Sequence, residues 1–129
     1  MGLAEKRVIK MLNEEVIPEV TERLKAAVGK DIVIEMNWDS FETEKQLREV
    51  QHQCLGRIAD GIEKLCGDDM GKEALADVMT KLVVNNIAEA GDKKIALADS
   101  ALTVDGKWED FGSGIFTDSD YANQIEALL

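Results

Sequence analysis

The sequence predicts an α+β fold: a small, mostly antiparallel three-stranded sheet packed with three long helices and a short C-terminal helix. The predicted order is α-β-α-α-β-β-α. Three observations predict it. Apolar residues recur at three- and four-residue steps through three long segments. One short segment alternates apolar and polar residues. Late in the chain an Asp-Gly pair separates two strand-like runs.

The first helix is read from about Leu3 to Val28, on the stripe Val8, Met11, Leu12, Val16, Val20, Leu24 and Val28. Pro18 removes a backbone donor and crowds the preceding turn, so a kink or break is expected near Glu14 to Ile17. Gly29 is a natural stop. Glu19 and Arg23 are spaced to pair across one turn. Asp31 to Trp38 then alternates. Ile32, Ile34, Met36 and Trp38 share one face, as in a strand buried on one side.

A second helix is expected from Asp39 or Ser40 to about Cys66. Its stripe is Leu47, Val50, Cys54, Ile58, Ile62 and Leu65, and Gly67 closes it. Gly56 and Gly61 each cost a helix about 1 kcal/mol relative to alanine. Either another backbone packs close to them or the helix is locally irregular. A third helix is read from about Gly71 to Ala90, with Asp77 and Lys81 paired on its outer side. Leu82 to Ile87 within it also tolerates a strand reading. Lys94 to Val104 and Lys107 to Phe111 are expected to form a hairpin around Asp105-Gly106. Gly112-Ser113-Gly114 reads as a flexible joint. Thr117 or Asp118 caps a last helix carrying Tyr121, Ile125 and Leu128.

The 129 residues suit a single domain spanning 1–129. The net charge of -11 repels phosphate backbones and anionic lipid surfaces, so neither nucleic acid nor a membrane is expected as partner. No apolar stretch approaches the roughly 18 residues needed to cross a bilayer. The N-terminal stretch lacks the apolar run of a signal peptide. Cys54 and Cys66 lie too far apart on one helix to pair. Two free thiols fit a reducing compartment, and the cytoplasm is the expected location.

No complete catalytic or cofactor motif is present: the P-loop string is missing, and Asp118-Ser119-Asp120 lacks the later residues of an EF-hand loop. No catalytic residue, cofactor or metal ligand is assigned. His52 and Cys54, two apart on a helix, cannot both face one ion. Cys54 belongs to the apolar stripe. Cys66, at a helix end near Asp68 and Asp69, sits where a thiolate is disfavoured.

Charge is uneven. From Ile95 onward there are seven acids (Asp99, Asp105, Glu109, Asp110, Asp118, Asp120 and Glu126) against the single base Lys107. Aromatic residues stand among them. Trp108, Glu109, Asp110, Phe111, Asp118, Asp120 and Tyr121 therefore form the candidate partner-binding set, aromatic anchors with an acidic rim. The expected function is a non-enzymatic protein-protein interaction module, an adaptor, inhibitor or chaperone-like protein with a basic partner. The alternative is a small-ligand or divalent-metal-binding protein, or an enzyme, using Asp and Glu of the C-terminal hairpin region. Mimicry of DNA by the acidic surface is a third expectation. A sheet of three strands also favours completing the core as a homodimer.

Overall fold

The computed structural model describes residues 2–129. It is an α+β fold built on a four-stranded mixed sheet of order β1-β2-β4-β3. Helix α1 (Leu3–Met11) continues through a π-helical turn at Leu12–Val16 into α2 (Ile17–Val28). Pro18 stands in the first turn of α2, where a missing N–H costs least. The expected disturbance before Pro18 is thus a π-bulge. The bulge also serves packing. Val8, Leu12, Val16, Val20, Leu24 and Val28 are all buried, and each is four residues from the next. A constant step of four overshoots a full α-helical turn by about 40°. One extra residue in the bulge takes back about 100° of that drift and keeps the stripe on one face. Gly29 ends α2 with φ +88°, a left-handed conformation that favours glycine.

Strand β1 (Val33–Met36) follows, with Ile34 and Met36 turned inward and Val33 exposed. The next helix begins later than the sequence reading has it. Trp38–Ser40 makes a single 3₁₀ turn, and α3 (Glu44–Arg48) starts behind Thr43. The Thr43 hydroxyl accepts from the Gln46 N–H, while Gln46 Oε1 accepts from the Thr43 N–H. This capping box outcompetes Asp39 and Ser40 as a helix start. A π-helical segment at Val50–Gly56 leads into α4 (Arg57–Leu65).

Both explanations offered for the two glycines hold, one at each. A Cβ on Gly56 would meet Gln51 O at 2.9 Å, the carbonyl five residues back in the irregular segment. A Cβ on Gly61 would meet Tyr121 Cβ at 2.5 Å and Asp118 O at 2.7 Å, because the last helix packs there.

Two corrections concern the second half. Helix α5 (Asp69–Val78), capped by Asp68, stops at Met79. The expected continuation to Ala90 is instead strand β2 (Lys81–Asn86). Val83 and Val84 are β-branched and Asn85-Asn86 are poor helix formers. The segment buries Leu82, Val84 and Asn86 on one face, with period two. It lies between β1 and β4 and is parallel to both. The sheet therefore has four strands and two parallel pairings, not three mostly antiparallel strands.

The hairpin is also displaced. It joins β3 (Lys94–Ala98) to β4 (Ala101–Gly106) through Asp99 (φ 53°) and Ser100 (φ 65°). Both turn residues take the positive φ of a type I′ turn, which Asp tolerates better than most residues. Asp105 instead lies in β4 opposite Asn85 and Lys94. Gly106 is required for another reason: a Cβ there would stand 2.7 Å from the Trp108 ring.

The last helix, α6 (Asp118–Leu128), opens with a capping box between Thr117 and Asp120. It packs on α4 and on β3. Leu82, Val84, Leu102, Val104 and Ile95 on the covered face of the sheet join the helices in one hydrophobic core. The other face carries Val83, Ala96, Ala98, Ala101 and Thr103, none of which belongs to that core. Two expected helix pairs are replaced. Arg23 reaches across to Asp60 at 2.7 Å and Glu63 at 2.6 Å on α4 rather than to Glu19. Lys81, now in a strand, stands 3.6 Å from Glu35. Among the described residues no helix is long and apolar enough to cross a membrane.

Candidate acceptor-lined cleft at the carboxyl edge

Strands β1, β2 and β4 run parallel, so their carboxyl ends share one edge of the sheet. A cleft of about 380 Å³ lies there. Asp39 and Ser40 come from the loop after β1, Asn86, Ile87 and Ala88 from the end of β2, and Glu109 from the loop after β4. Glu42 and Gln46 at the start of α3 close it.

Polar contacts fix this wall. Ser40 Oγ donates to Asn37 O at 2.6 Å and accepts from the Asn86 N–H at 2.9 Å. Asn86 Nδ2 donates to Ser40 O at 3.3 Å. Gln46 Oε1 accepts from the backbone N–H groups of Glu42 and Thr43, and its Nε2 donates to Glu109 Oε1 at 3.2 Å. Gln46 and Asn86 are 7% and 8% exposed, and both are held by these bonds. Glu109 is positioned from behind. Trp108 is fully buried, and its indole N–H donates to Asn85 O at 3.2 Å. The rest of the loop is closed on itself. Lys107 N–H donates to Gly114 O, and Gly114 N–H to Asp110 O, each at 2.9 Å. Asp110 Oδ1 accepts from the Ser113 N–H at 3.1 Å. Gly112-Ser113-Gly114 is thus part of a tight loop rather than a flexible joint. A Cβ on Gly114 would fall 2.6 Å from Lys107 O.

Two acceptors of the lining residues are left over, both buried behind the cleft surface. Asn86 Oδ1 and Glu109 Oε2 are cut off from bulk water and have no hydrogen-bond partner. A buried acceptor without a donor costs about 1–3 kcal/mol, and more if charged. The side chains lining the cleft include the carboxylates Asp39, Glu42 and Glu109 and no cation. Chemically it is a place for donors, above all positively charged ones.

The seven residues singled out from the sequence take different settings. Glu109 lines the cleft. Asp110 and Phe111 follow it in the same loop, and Phe111 is 52% exposed. Trp108 and Tyr121 are fully buried in the core, where Tyr121 packs edge-on against Phe116. Asp118 is bound to Lys64 at 2.7 Å, which lowers its pKa, and Asp120 caps α6. Among the described residues no group of three or more His, Cys, Asp or Glu side chains is placed to hold a metal ion. His52 is exposed beside the buried Cys54. Burial pushes the Cys54 thiol well above its ordinary pKa. It also raises Cys66, with Asp68 adding to that and Lys72 opposing it.

Sequence reasoning missed Gln46 and Asn86. Each had a local signal. Thr43-Glu44-Lys45-Gln46 carries the spacing of a capping box. Asn85-Asn86 ends an apolar run, as polar residues do where a buried strand emerges at a sheet edge. Comparison of the chain with protein-family models, curated proteins and solved structures finds no match.

Proposed function

We propose that this chain is a non-enzymatic interaction module that docks a basic segment of a partner protein at the carboxyl edge of its sheet. One observation carries the reading: the cleft lining holds three carboxylates, Asp39, Glu42 and Glu109, and no cation. The surrounding charge supports it, since a molecule at -11 draws cationic partners and repels nucleic acid. Self-association, the other expectation about partners, would be seated on the face of the sheet outside the core. Two unpaired thiols support a reducing compartment.

The test is calorimetric titration with an octa-lysine peptide at increasing ionic strength. Binding is expected at low salt, weakening as the Debye length shrinks. It should weaken further when Asp39 and Glu42 are both changed to Lys. A peptide that does not bind, or binds the doubly substituted protein equally well, overturns the reading.

A further inference from the structure

We propose that two copies of this chain associate face to face through the sheet surface outside the core, about a two-fold axis that crosses the strands. The inference gives the self-association named above a surface and a geometry. It stands independently of docking at the carboxyl edge.

The strand register lays the surface out in rows. One row is Val33, Lys81, Ala101 and Ala98, and the next is Glu35, Val83, Thr103 and Ala96. The third is Asn85, Asp105 and Lys94. Val33 is 63% exposed, and Glu35, Lys94 and Ala98 are exposed with it. The other residues of these rows are half-buried, whereas Leu82, Val84, Leu102 and Val104 on the opposite side are fully buried. Strands β1, β2 and β4 are parallel, and parallel strands occur almost only in sheets covered on both faces. The middle of the surface is low, built of Val83, Thr103 and three alanines. A second sheet can therefore approach to the roughly 10 Å of packed sheets.

Charge says what covers it. Lys81 and Lys94 balance Glu35 and Asp105, so this surface is neutral on a molecule of -11. A strongly charged partner gains no net attraction there. A second copy does, because the charges at the two ends of the strands are complementary. Lys81 begins β2, and Asp105 lies toward the carboxyl end of β4. They stand roughly 14 Å apart on the sheet, too far to pair within one copy. A two-fold axis across the strands at the Val83–Thr103 row exchanges the two ends. It sets Lys81 of each copy over the end of the other that carries Asp105. Lys81 is only loosely held at home, 3.6 Å from Glu35, while Asn85 Nδ2 donates to Asp105 Oδ1 at 2.8 Å and orients that carboxylate. Four strands about 4.8 Å apart, each of about five residues, give a face of on the order of 300 Å² in plan. Such an area lies at the low end of specific interfaces and sets a weak dimer, with Kd on the order of 100 µM.

Sedimentation equilibrium from about 10 µM to about 1 mM protein brackets that Kd. A monomer–dimer equilibrium is expected that stops at the dimer, because a two-fold interface closes on itself. Added salt should tighten it, since salt screens the repulsion between two molecules of like net charge. Octa-lysine binding has the opposite salt dependence. Thr103→Arg puts two like charges beside the axis and should weaken association more than about tenfold. Met70→Arg adds the same charge on α5, at a side chain 83% exposed, and should not weaken it. Lys81→Glu and Asp105→Lys should each weaken the dimer about fivefold, because each acts twice across the axis. The doubly exchanged protein should regain parental affinity within about twofold, a rescue that only pairing between copies can give. Far-UV circular dichroism and Tm confirm that every variant is folded. A protein that stays monomeric at the top concentration overturns the proposal. So does growth beyond the dimer, which would mean pairing of sheet edges. Equal effects of the two arginine substitutions, or no rescue in the double exchange, also overturn it. None of these outcomes touches the docking reading, which the octa-lysine titration tests on a different surface.

Discussion

Cys54 and Cys66 show how one residue type takes two states in one chain. Cys54 is fully buried among aliphatic side chains, and its thiolate has nothing to compensate the loss of water. Cys66, at the end of α4, is half-buried, so desolvation acts there more weakly. Both thiols are raised, so neither is set up as a nucleophile. Alkylation of the native protein at neutral pH, read by mass spectrometry, should label Cys66 slowly. Cys54 should remain unlabelled until denaturant is added. Rapid labelling of Cys54 without unfolding would mean that its segment opens readily. The π-helical register around it, Val50–Gly56, would be the place to look.

At the scale of elements, the contact between α4 and α6 depends on a missing side chain. Gly61 lets the backbone of α6 approach within the distance a Cβ would occupy. Gly61→Ala would gain about 1 kcal/mol of helix propensity. It would also force α6 away from α4, and overpacking of this kind costs about 1–3 kcal/mol. Backbone and a Cβ are the obstructing atoms, so the upper part of that range applies. A net loss of about 1–2 kcal/mol is expected, a fall in Tm of roughly 5 °C for a chain of this size. Calorimetry or thermal circular dichroism reads it directly. A variant as stable as the parent would show that α6 can slide outward without loss. The same interface carries Lys64–Asp118, and its exposure makes that pair a weak contributor next to the packing.

For the whole molecule, the excess of carboxylates shapes stability against pH. At neutral pH the charge of -11 repels itself, and mild acid relieves that repulsion. Asp118 works in the opposite direction. The Lys64 ammonium holds its carboxyl below the usual range in the folded state. A carboxyl with a lowered folded-state pKa stabilises fully above its unfolded value and loses that contribution as pH falls through the folded value. Asp118→Asn should therefore lower Tm at neutral pH. The gap to the parent should close as pH drops through the acid range, and should shrink in high salt because the pair is exposed. Thermal unfolding of the two proteins over a pH series checks this. A gap that widens toward acid pH would show that the pair does not stabilise the fold.

The boundary between what was legible in the sequence and what was not follows the range of the forces involved. Helix stripes, the disturbance ahead of Pro18, the stop at Gly29 and the inward face of β1 were readable, because periodicity and backbone sterics act within a few residues. Thr117 as a cap was readable for the same reason. The segment Lys81–Asn86 was not, because its apolar residues satisfy helix and strand patterns alike. Strands β1 and β4 pair with both of its edges and decide between them. The Asp105-Gly106 pair misled because its local chemistry suits a turn. Its glycine serves the Trp108 ring instead, a contact made only after the loop folds back. Of the cleft, Glu109 was legible as part of an acidic stretch. Its convergence with Gln46 and Asn86 was not, since the three residues come from separate elements and meet only when the parallel strands align. By itself the sequence determined the net charge, the helical stripes and the absence of recognisable catalytic motifs. The tertiary structure decided the parallel pairing, the dispersal of the C-terminal acids and the leftover acceptors, because each depends on contacts between residues distant along the chain.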